Sequence, residues 1–267
     1  MALDGPPSRV VSLLPSLTEL VLALGEGERL VARTRYDRDP RVRDLPSVGG
    51  GLRPNLETIG RLLPDLVLTW ADEGDDRLVD RLEALHIPVY SADSQTLIDI
   101  RRHTKNLGRM LDVEKRADRL LDSIDQGLAQ IRSRVDGVER PTVFYVVWLD
   151  PPTTAGPKTY LDSLISIAGG TNAFFDAPAR WPQVSLEEVL RRDPDVVVLA
   201  TRHDGSPAES TWIHERSGWR SLTAVRRDRV LVVDADLFNR PGPRVVEAAR
   251  TLAKFLHPER FQDEADG

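Results

Sequence analysis

Cysteine is absent from the 267-residue sequence. Its absence excludes disulfides, thiolate metal sites and cysteine nucleophiles. Long apolar runs are also missing, so we expect no membrane insertion of this chain. The opening MALDGPPSRVV has no basic stretch followed by an apolar one, so no signal peptide is expected within the sequence as it stands.

A strong excess of one charge is lacking too. The chain has 42 acidic residues against 36 Lys and Arg, a formal charge of −6. That balance argues against a nucleic-acid partner. The arginine-rich segment 33–44 is interleaved with Asp37, Asp39 and Asp44, which predicts a solvated loop. With 40% hydrophobic and 29% charged residues, the composition is typical of a globular protein with one large or two small domains.

Catalytic and metal-binding motifs are the third absence. There is no G-x-S-x-G or H-E-x-x-H, and VGGGLRPN and AGPKTY lack the spacing of nucleotide-binding loops. The histidines fall on separate predicted elements without metal-ligand spacing, so surface or capping roles are predicted for each: His86, His103, His203, His214 and His257. We therefore predict no catalytic centre, no metal site, no cofactor and no enzymatic activity.

What the sequence does contain is an alternation of strands and helices. The run RVVSLLP predicts a strand buried on both faces, and Ser16 with Glu19 then forms an S-x-x-E capping box of a helix that ends at Gly25. The further predicted strands are 29–34, 88–92, 142–148 and 229–234, and the helices lie near 76–85, from 160 to a stop at Gly169, near 210–222 and at 243–256. This alternation predicts mostly parallel sheets covered by helices.

The middle of the chain is long, charged and helical. Apolar residues recur at three- and four-residue steps from about 98 to 135. Asp112 is the expected N-cap of a helix of ~23 residues from Val113, which would span roughly 35 Å. We therefore predict an N-terminal α/β lobe at 1–100, a linking helix at 101–138 and a C-terminal α/β lobe at 139–267.

One helix-to-strand unit occurs twice. NLETIGRLLPDLVLTW (55–70) and SLEEVLRRDPDVVVLA (185–200) align without a gap and share six of sixteen residues. Asn55 and Ser185 are predicted N-caps, which places Glu57 and Glu187 in the first turns of their helices. An acidic residue there interacts favourably with the helix dipole, and this alone is a sufficient structural explanation.

Aromatic residues follow strands at several points. Phe174, Phe175 and Trp181 lie in one loop-rich segment, 174–188, and a second segment, 234–244, contains Asp236, Phe238 and Arg240. Trp70 and Trp148 end predicted strands. Open α/β sheets bind ligands at such places, although Phe174 and Trp181 covering the core is the alternative. Trp212 and Trp219 are predicted core contacts of a helix.

These features together resemble a known family. The opening RVVSLLPSLTEL, the repeated unit, the single long helix, WPQVSLEEVL and DADLFNRPGPR resemble the class III solute-binding proteins of ABC importers, over about residues 9–257. Within that class they are most similar to the cobalamin-binding branch. The implied fold is α/β, with two Rossmann-like lobes, each a mostly parallel sheet flanked by helices, joined by one long backbone helix with a ligand cleft between them.

The resemblance also implies a function. The protein would bind cobalamin or a related corrinoid and deliver it to an ABC transporter permease dimer in the membrane. It would work outside the cytoplasm, with its signal or anchor segment absent from this sequence; a cytoplasmic location is the alternative. The implied ligand contacts are Tyr36, Trp70, Phe174, Phe175, Trp181, Asp236, Phe238 and Arg240, and Glu57 and Glu187 would form salt bridges with permease arginines.

One departure keeps other ligands open. The loop before the first repeat is VGGG, where the cobalamin receptor has a tryptophan. An Fe(III)-siderophore is the runner-up, with Arg53, Arg180 and Arg240 attracting an anionic chelate. Haem is a further alternative, with Tyr36 or Tyr160 as axial ligand. An enzyme or an intracellular sensor on this fold is the alternative from a different class of function.

Overall fold

The chain divides into two compact units. The computed structural model describes residues 5–71, 77–149, 151–200 and 210–264. Unit 1 comprises Met1–Ser123 with Pro241–Pro243, and unit 2 comprises Ile124–Arg240 with Arg244–Gly267. The division falls within a 21-residue helix, Glu114–Arg134, in the region where the sequence predicts about 23 helical residues.

Unit 1 contains a four-stranded, wholly parallel sheet in the order β2-β1-β3-β4. Its strands are β1 (Val10–Ser12), β2 (Leu30–Ala32), β3 (Leu66–Trp70) and β4 (Val89–Ala92). Its helices are α1 (Pro15–Ala23), α2 (Leu56–Arg61), α3 (Arg77–Ala84) and α4 (Leu97–Met110), followed by α5 (Glu114–Arg134). The parallel α/β arrangement predicted from the sequence is confirmed, with strands shorter than expected.

Helices cover both faces of this sheet because alternate strand residues point to opposite sides. Val10 and Leu66 pack in one buried cluster with residues of α1, α4 and α5. Val11 and Val67 pack in a second cluster that includes Ile59 of α2 and Leu82 of α3. A strand buried on both faces reads as a continuous apolar run, as the sequence of β1 and β3 does.

Unit 2 is built on a five-stranded sheet in the order β6-β5-β8-β9, with β7 also paired to β5. Its strands are β5 (Thr142–Leu149), β6 (Pro152–Thr154), β7 (Thr171–Asn172), β8 (Val196–Ala200) and β9 (Val230–Val233). Its helices are α6 (Tyr160–Ile167), α7 (Leu186–Arg192), α8 (Ser210–Glu215), α9 (Thr223–Arg226), α10 (Ala235–Phe238) and α11 (Val245–Leu256). Short 3-10 helices occupy Gly27–Arg29, Pro40–Val42, Trp219–Ser221, Pro258–Arg260 and Gln262–Glu264.

Aromatic rings form much of the core of unit 2. The Phe144 ring lies 5.5 Å from that of Phe174 and stacks at 6.1 Å on Trp219. The predicted core role of Trp219 is therefore confirmed. The side chain of Trp212 and the whole of His203 lie outside the described residues.

The repeated helix-to-strand unit has the same local geometry in both units. The side chains of Asn55 and Ser185 accept hydrogen bonds from the amides of Thr58 and Glu188, at 3.0 and 3.1 Å, so both predicted N-caps are confirmed. After each helix one non-glycine residue adopts a left-handed conformation: Leu63 with φ 46° and Asp193 with φ 40°. The turn that follows the helix therefore has the same left-handed backbone conformation in both copies of the repeated unit.

The shared Pro-Asp pair has a structural role in both copies. Asp65 accepts hydrogen bonds from the amide and hydroxyl of Ser8 at 2.8 and 2.9 Å, at the entry to β1. Asp195 accepts from the amide and hydroxyl of Thr142 at 2.8 and 2.7 Å, at the entry to β5. Burial raises the pKa of Asp65, but the donors of Ser8 and Arg9 outweigh it and lower the pKa below its ordinary value. Each aspartate thus joins two neighbouring parallel strands.

Leu63 offers a test of this turn geometry. Its side chain is 77% exposed, so little packing is lost when it is removed. A left-handed conformation costs a non-glycine residue more than glycine, so Leu63→Gly should raise the free energy of unfolding by a few tenths to about 1 kcal/mol. Thermal and urea unfolding measure the change. Leu85→Gly, an exposed leucine without positive φ, is the matched control and should destabilise; equal destabilisation by both would contradict the assignment.

Two predicted helix starts are wrong. Helix α1 begins at Pro15 with Leu14 as N-cap, and Ser16 is buried inside its first turn without a capping hydrogen bond. Proline at the first helical position has its φ already set for a helix, so the start moves ahead of the S-x-x-E pattern. Asp112 is not an N-cap either: it follows the C-cap of α4, Leu111, with a φ of 61°, and the next amide, that of Val113, donates to the Gly108 carbonyl at 2.7 Å.

Two predicted surface features are also corrected. His103 is buried inside α4, and its Nε2 contacts the Asp93 carbonyl at 2.7 Å. His257 is also buried but occupies a predicted capping position, as the C-cap of α11, and its Nε2 contacts the Gly169 carbonyl at 3.1 Å. Burial lowers the pKa of His103. Asp37, assigned to a solvated loop, is only 7% exposed. A buried polar group persists where its hydrogen bonds are satisfied, and sequence spacing does not reveal those partners.

Candidate functional site

The parallel strands of unit 1 all end at one edge of the sheet, which we call the carboxyl edge of unit 1. It comprises the residues that follow the four strands, at 13–14, 33–37, 71 and 93, together with Trp70, the last residue of β3. In unit 2, Trp148 lies near the carboxyl end of β5 and Asp236 follows that of β9. Such edges are where open α/β sheets bind ligands.

Tyr36 and Trp70 present aromatic faces in unit 1, with exposed fractions of 44% and 41%. The buried carboxylate of Asp37 holds the loop of Tyr36, because it accepts hydrogen bonds from the amide and hydroxyl of Thr34, both at 2.7 Å. The Tyr36 amide in turn donates to the Thr34 hydroxyl at 3.2 Å. A rigid turn therefore carries one ring and the end of β3 carries the other.

The glycine loop of unit 1 passes close to the same edge. A Cβ on Gly51 would lie 2.2 Å from the carbonyl oxygen of Leu13, so only glycine fits against the end of β1. The Arg35 amide donates to the Gly49 carbonyl at 2.8 Å, and the Arg35 guanidinium lies 5.8 Å from the Tyr36 ring centre. Leu52 follows these glycines and is 77% exposed. It was not among the candidate residues predicted from the sequence, although a bulky apolar residue after three glycines could have indicated it.

Phe175 and Trp181 are the exposed aromatics of the segment 173–184 in unit 2, at 62% and 41%. This segment runs back along β6. The Gly156 amide donates to the Arg180 carbonyl at 2.7 Å, and the Thr154 amide donates to the Pro182 carbonyl at 3.1 Å. Residues 181–184 (WPQV) thus pair with the backbone of β6 at the edge of the sheet, and this pairing fixes the position of Trp181.

Gly156 makes that pairing possible. A Cβ there would lie 2.1 Å from the carbonyl oxygen of Ala179, closer than any real contact. We expect Gly156→Ala to displace Trp181 and weaken ligand binding by about tenfold, or 1.4 kcal/mol. Calorimetric titration measures the affinity and near-ultraviolet circular dichroism the tryptophan environment. Gly60→Ala is the control, because a Cβ at Gly60 meets no atom within 4 Å; a tenfold loss there too would refute the explanation.

Two of the predicted aromatic contacts are buried. Phe174 is 2% exposed and packs on Phe144, with the Arg192 guanidinium 4.4 Å above its ring centre. Phe238 is 1% exposed and stacks on Tyr145 at 6.4 Å. Their rings belong to the core of unit 2 and present no surface to a ligand. For Phe174 this matches the alternative that it covers the core; Trp181 remains exposed.

The two predicted polar contacts pair with each other. Arg240 Nη2 lies 2.5 Å from Asp236 Oδ1, and the side chains are only 12% and 10% exposed. Asp234 begins this turn as N-cap of α10, its carboxylate accepting from the Asp236 amide at 2.8 Å. A partly buried pair of this kind holds its charges in fixed positions. Arg240 therefore does not present an unpaired positive charge, in contrast to its expected role toward an anionic chelate.

Glu57 and Glu187 occupy equivalent exposed positions. Each lies in the first turn of a helix that precedes a parallel strand, α2 before β3 and α7 before β8. Because such a helix runs antiparallel to its strand, its first turn faces the carboxyl edge of its own unit. Glu57 pairs with Arg61, both more than 70% exposed, whereas within the described residues Glu187 forms no ion pair. Exposed pairs of this kind contribute little to stability.

Next to Glu187 lies an ion-pair network that sequence reasoning missed. Arg192 contacts Glu188 and Asp176, each at 2.6 Å, and Arg191 reaches the same Glu188 carboxylate at 2.6 Å. Hydrogen bonds from Arg191 and then Arg192 lower the pKa of Glu188 to about 2. The hydrogen bond from Arg192 lowers the pKa of Asp176 as well. In the sequence, Glu188, Arg191 and Arg192 have the spacing of common ion pairs within one helix, and nothing indicates the further contact of Arg192 with Asp176.

Over 5–71, 77–149, 151–200 and 210–264 no cluster of His, Cys, Asp or Glu could hold a metal ion. No helix in those ranges combines the length and hydropathy of a membrane span.

Two α/β units, each with a mostly parallel sheet and exposed aromatics beside its strand ends, define a binding-protein class of fold. The model of the family described as "Periplasmic binding protein" matches residues 10–237. The chain belongs to this periplasmic binding protein family, as the sequence resemblance predicted.

Individual relatives cover nearly the whole chain. A "Vitamin B12-binding protein" of Pectobacterium carotovorum is 32% identical over 94% of this chain and 88% of its own length. An "Uncharacterized ABC transporter substrate-binding lipoprotein YvrC" of Bacillus subtilis is 31% identical over 96% and 82%. Among solved structures, the periplasmic haem-binding protein RhuT from Roseiflexus sp. RS-1 superposes with a TM-score of 0.84 at 25% identity, covering 95% of this chain and 99% of its own.

Proposed function

We propose that this protein is the substrate-binding protein of an ABC importer and that it binds cobalamin or a related corrinoid. The observation that carries the proposal is the set of exposed aromatic rings on both units, in a chain similar to a vitamin B12-binding protein. A corrin is a large, nearly flat ring edged with amides, so aromatic faces with a few fixed polar groups suit it. The proposed contacts are Tyr36, Trp70, Phe175 and Trp181, with the Asp236–Arg240 pair as polar partner.

The neutral character of that polar partner favours a corrinoid over an anionic chelate. Arg240 is neutralised by Asp236 at 2.5 Å. Its guanidinium and the Asp236 carboxylate can instead orient amides, since together they offer both a donor and an acceptor. Arg53 and Arg180 are exposed and are the remaining cations proposed for a siderophore.

Haem is a second candidate ligand, supported by a specific observation. The similarity to RhuT extends over nearly the entire chain, and Tyr36 is exposed beside the carboxyl edge of unit 1. A phenolate oxygen is a known axial ligand of haem iron. Tyr160, the other tyrosine considered, is only 2% exposed, which leaves Tyr36 as the candidate ligand.

Titration of the purified chain with four ligands tests these alternatives. Cyanocobalamin, cobinamide, haemin and a ferric siderophore are titrated in parallel, with isothermal calorimetry as the readout. We expect both corrinoids to bind with a dissociation constant below about 1 μM, or −8.2 kcal/mol. Haemin alone binding in that range, with a Soret band lost in Tyr36→Phe, would support haem. Failure of both corrinoids would refute the corrinoid assignment, and binding of no ligand would favour an enzyme or sensor.

The partner and the location follow from the same proposal. The relative from Bacillus subtilis is described as an ABC transporter lipoprotein, and the family is periplasmic by description. We propose that this chain works outside the cytoplasm and docks on a permease dimer through Glu57 and Glu187. The proposed organisation is an N-terminal lobe at 1–100, a linking helix at 101–138 and a C-terminal lobe at 139–267. The named relatives are binding proteins rather than enzymes.

A further inference from the structure

We propose that Arg192 is a positioning residue that couples the ligand-contacting segment 173–176 to the first turn of α7, so that a change at Glu188 alters ligand binding. This inference rests on the proposed function, because Phe175 is the ligand contact within that segment. All the residues involved belong to unit 2.

On one side Arg192 holds the segment at two points. Its Nη1 donates to the Ala173 carbonyl and to Asp176 Oδ1, both at 2.6 Å, and Nη2 donates to Asp176 Oδ2 at 3.3 Å. These contacts flank Phe175 on both sides in the chain. The same guanidinium lies 4.4 Å above the Phe174 ring centre. The position of Phe175 therefore depends on where the guanidinium is held.

On the other side Arg192 is held by α7. Its Nε donates to Glu188 Oε1 at 2.6 Å. The Glu188 carboxylate also accepts from Arg191 Nε at 2.8 Å and Nη2 at 2.6 Å. Glu188 adjoins Glu187, the proposed docking residue. A cation supplied by a docking partner at this turn would therefore compete with Arg192 for the same carboxylate, and charge-assisted bonds of this kind are the strong ones.

The repeated unit of the chain shows that this link is specific to unit 2. The residues of unit 1 that correspond to Glu188 and Arg192 are Thr58 and Leu62. Thr58 carries no charge, and Leu62 cannot donate a side-chain hydrogen bond. The copies are identical at the position of Arg61 and Arg191 but differ at these two. The repeated helix-to-strand unit therefore forms in unit 1 without such a network, so the network of unit 2 is not a requirement of the repeated element itself.

Hydrogen exchange on the ligand-free protein tests the coupling without any assumption about the ligand. We expect Glu188→Gln to speed exchange of the amides at 173–177 by about threefold or more, since a weakened anchor favours local opening. Arg192→Leu, which copies unit 1, should speed it at least as much, and the double variant no further. Arg191→Leu is the matched control, because Arg191 also donates to the Glu188 carboxylate but makes no hydrogen bond to the segment 173–176. In this variant the exchange rates of the amides at 173–177 should be unchanged.

Titration with cyanocobalamin supplies the second readout. Arg192→Leu should bind about tenfold and Glu188→Gln about threefold more weakly, and the double variant should match Arg192→Leu instead of the roughly 30-fold product, because contacting residues are not additive. If Arg192→Leu does not fold, Asp176→Asn replaces it in both measurements. Multiplicative losses, or unchanged exchange in Glu188→Gln, would overturn the coupling. Cyanocobalamin failing to bind the unaltered chain would count against the proposed function, and the exchange result would still decide the coupling.

Discussion

Replacing Glu57 and Glu187 together by alanine should abolish corrinoid uptake through the importer while leaving the corrinoid dissociation constant within about twofold, because rim charges steer docking rather than ligand binding. Both carboxylates are exposed in the first turn of their helices. Neither belongs to the proposed ligand contacts. Uptake is measured in vesicles with the reconstituted importer, and affinity by calorimetry on the free protein.

Stability separates docking from the structural explanation of these glutamates. As helix-dipole partners they contribute about 0.3–1 kcal/mol each. The double variant should thus lower the melting temperature by only a few degrees, about 2–4 °C per kcal/mol for a chain of this size. Glu83→Ala with Glu139→Ala is the control, since both are exposed acids that precede strands β4 and β5. Equal losses of uptake in the control, or parallel losses of uptake and affinity, would contradict docking.

Much of the fold could be read from the sequence because its signals are local. The apolar runs of β1, β3 and β8, the N-caps Asn55 and Ser185 and the glycine ending α1 all lie within one or two turns of the elements they define. Strands β6 and β7 were not predicted. They are three and two residues long, and β6 begins with a proline, which is unusual in a strand. β6 pairs with β5 as a tight antiparallel hairpin, whereas β7 pairs with residues of β5 that are distant in sequence.

The candidate site was less predictable, because burial depends on packing between distant segments. Phe174 and Phe175 are adjacent aromatics, yet one is 2% and the other 62% exposed. The sequence pattern gave no reason to separate them; the Phe144 ring and the Arg192 guanidinium do. The pairing of Asp236 with Arg240 was likewise invisible as a pair, although their four-residue spacing permits it. Choosing candidate residues by type alone therefore does not distinguish the exposed aromatics, Phe175 and Trp181, from the buried ones, Phe174 and Phe238.

Aromatic truncation should produce the largest losses of ligand affinity. We expect Trp70→Ala and Trp181→Ala each to weaken cyanocobalamin binding by about 10- to 100-fold, since buried aromatic contacts commonly contribute 2 kcal/mol or more. Both rings are 41% exposed in the free protein, so their loss should leave the core intact. Calorimetry is the required readout, because each substitution also removes a fluorophore. Leu85→Ala, another exposed apolar side chain, should bind normally.

The adjacent residues Phe174 and Phe175 provide a matched pair of variants, because one ring is buried and the other is exposed. Phe175→Ala should weaken binding without a change in unfolding free energy beyond about 0.5 kcal/mol, as for other surface substitutions. Phe174→Ala should instead cost about 3–5 kcal/mol of stability, because it leaves a cavity in the core. Affinity is measured below the melting transition of each variant, so that only folded protein is titrated. If Phe175→Ala and both tryptophan variants bind cyanocobalamin like the unaltered chain, the exposed aromatics are not the corrinoid contacts, and the ligand must be sought among those that use charge or an axial ligand.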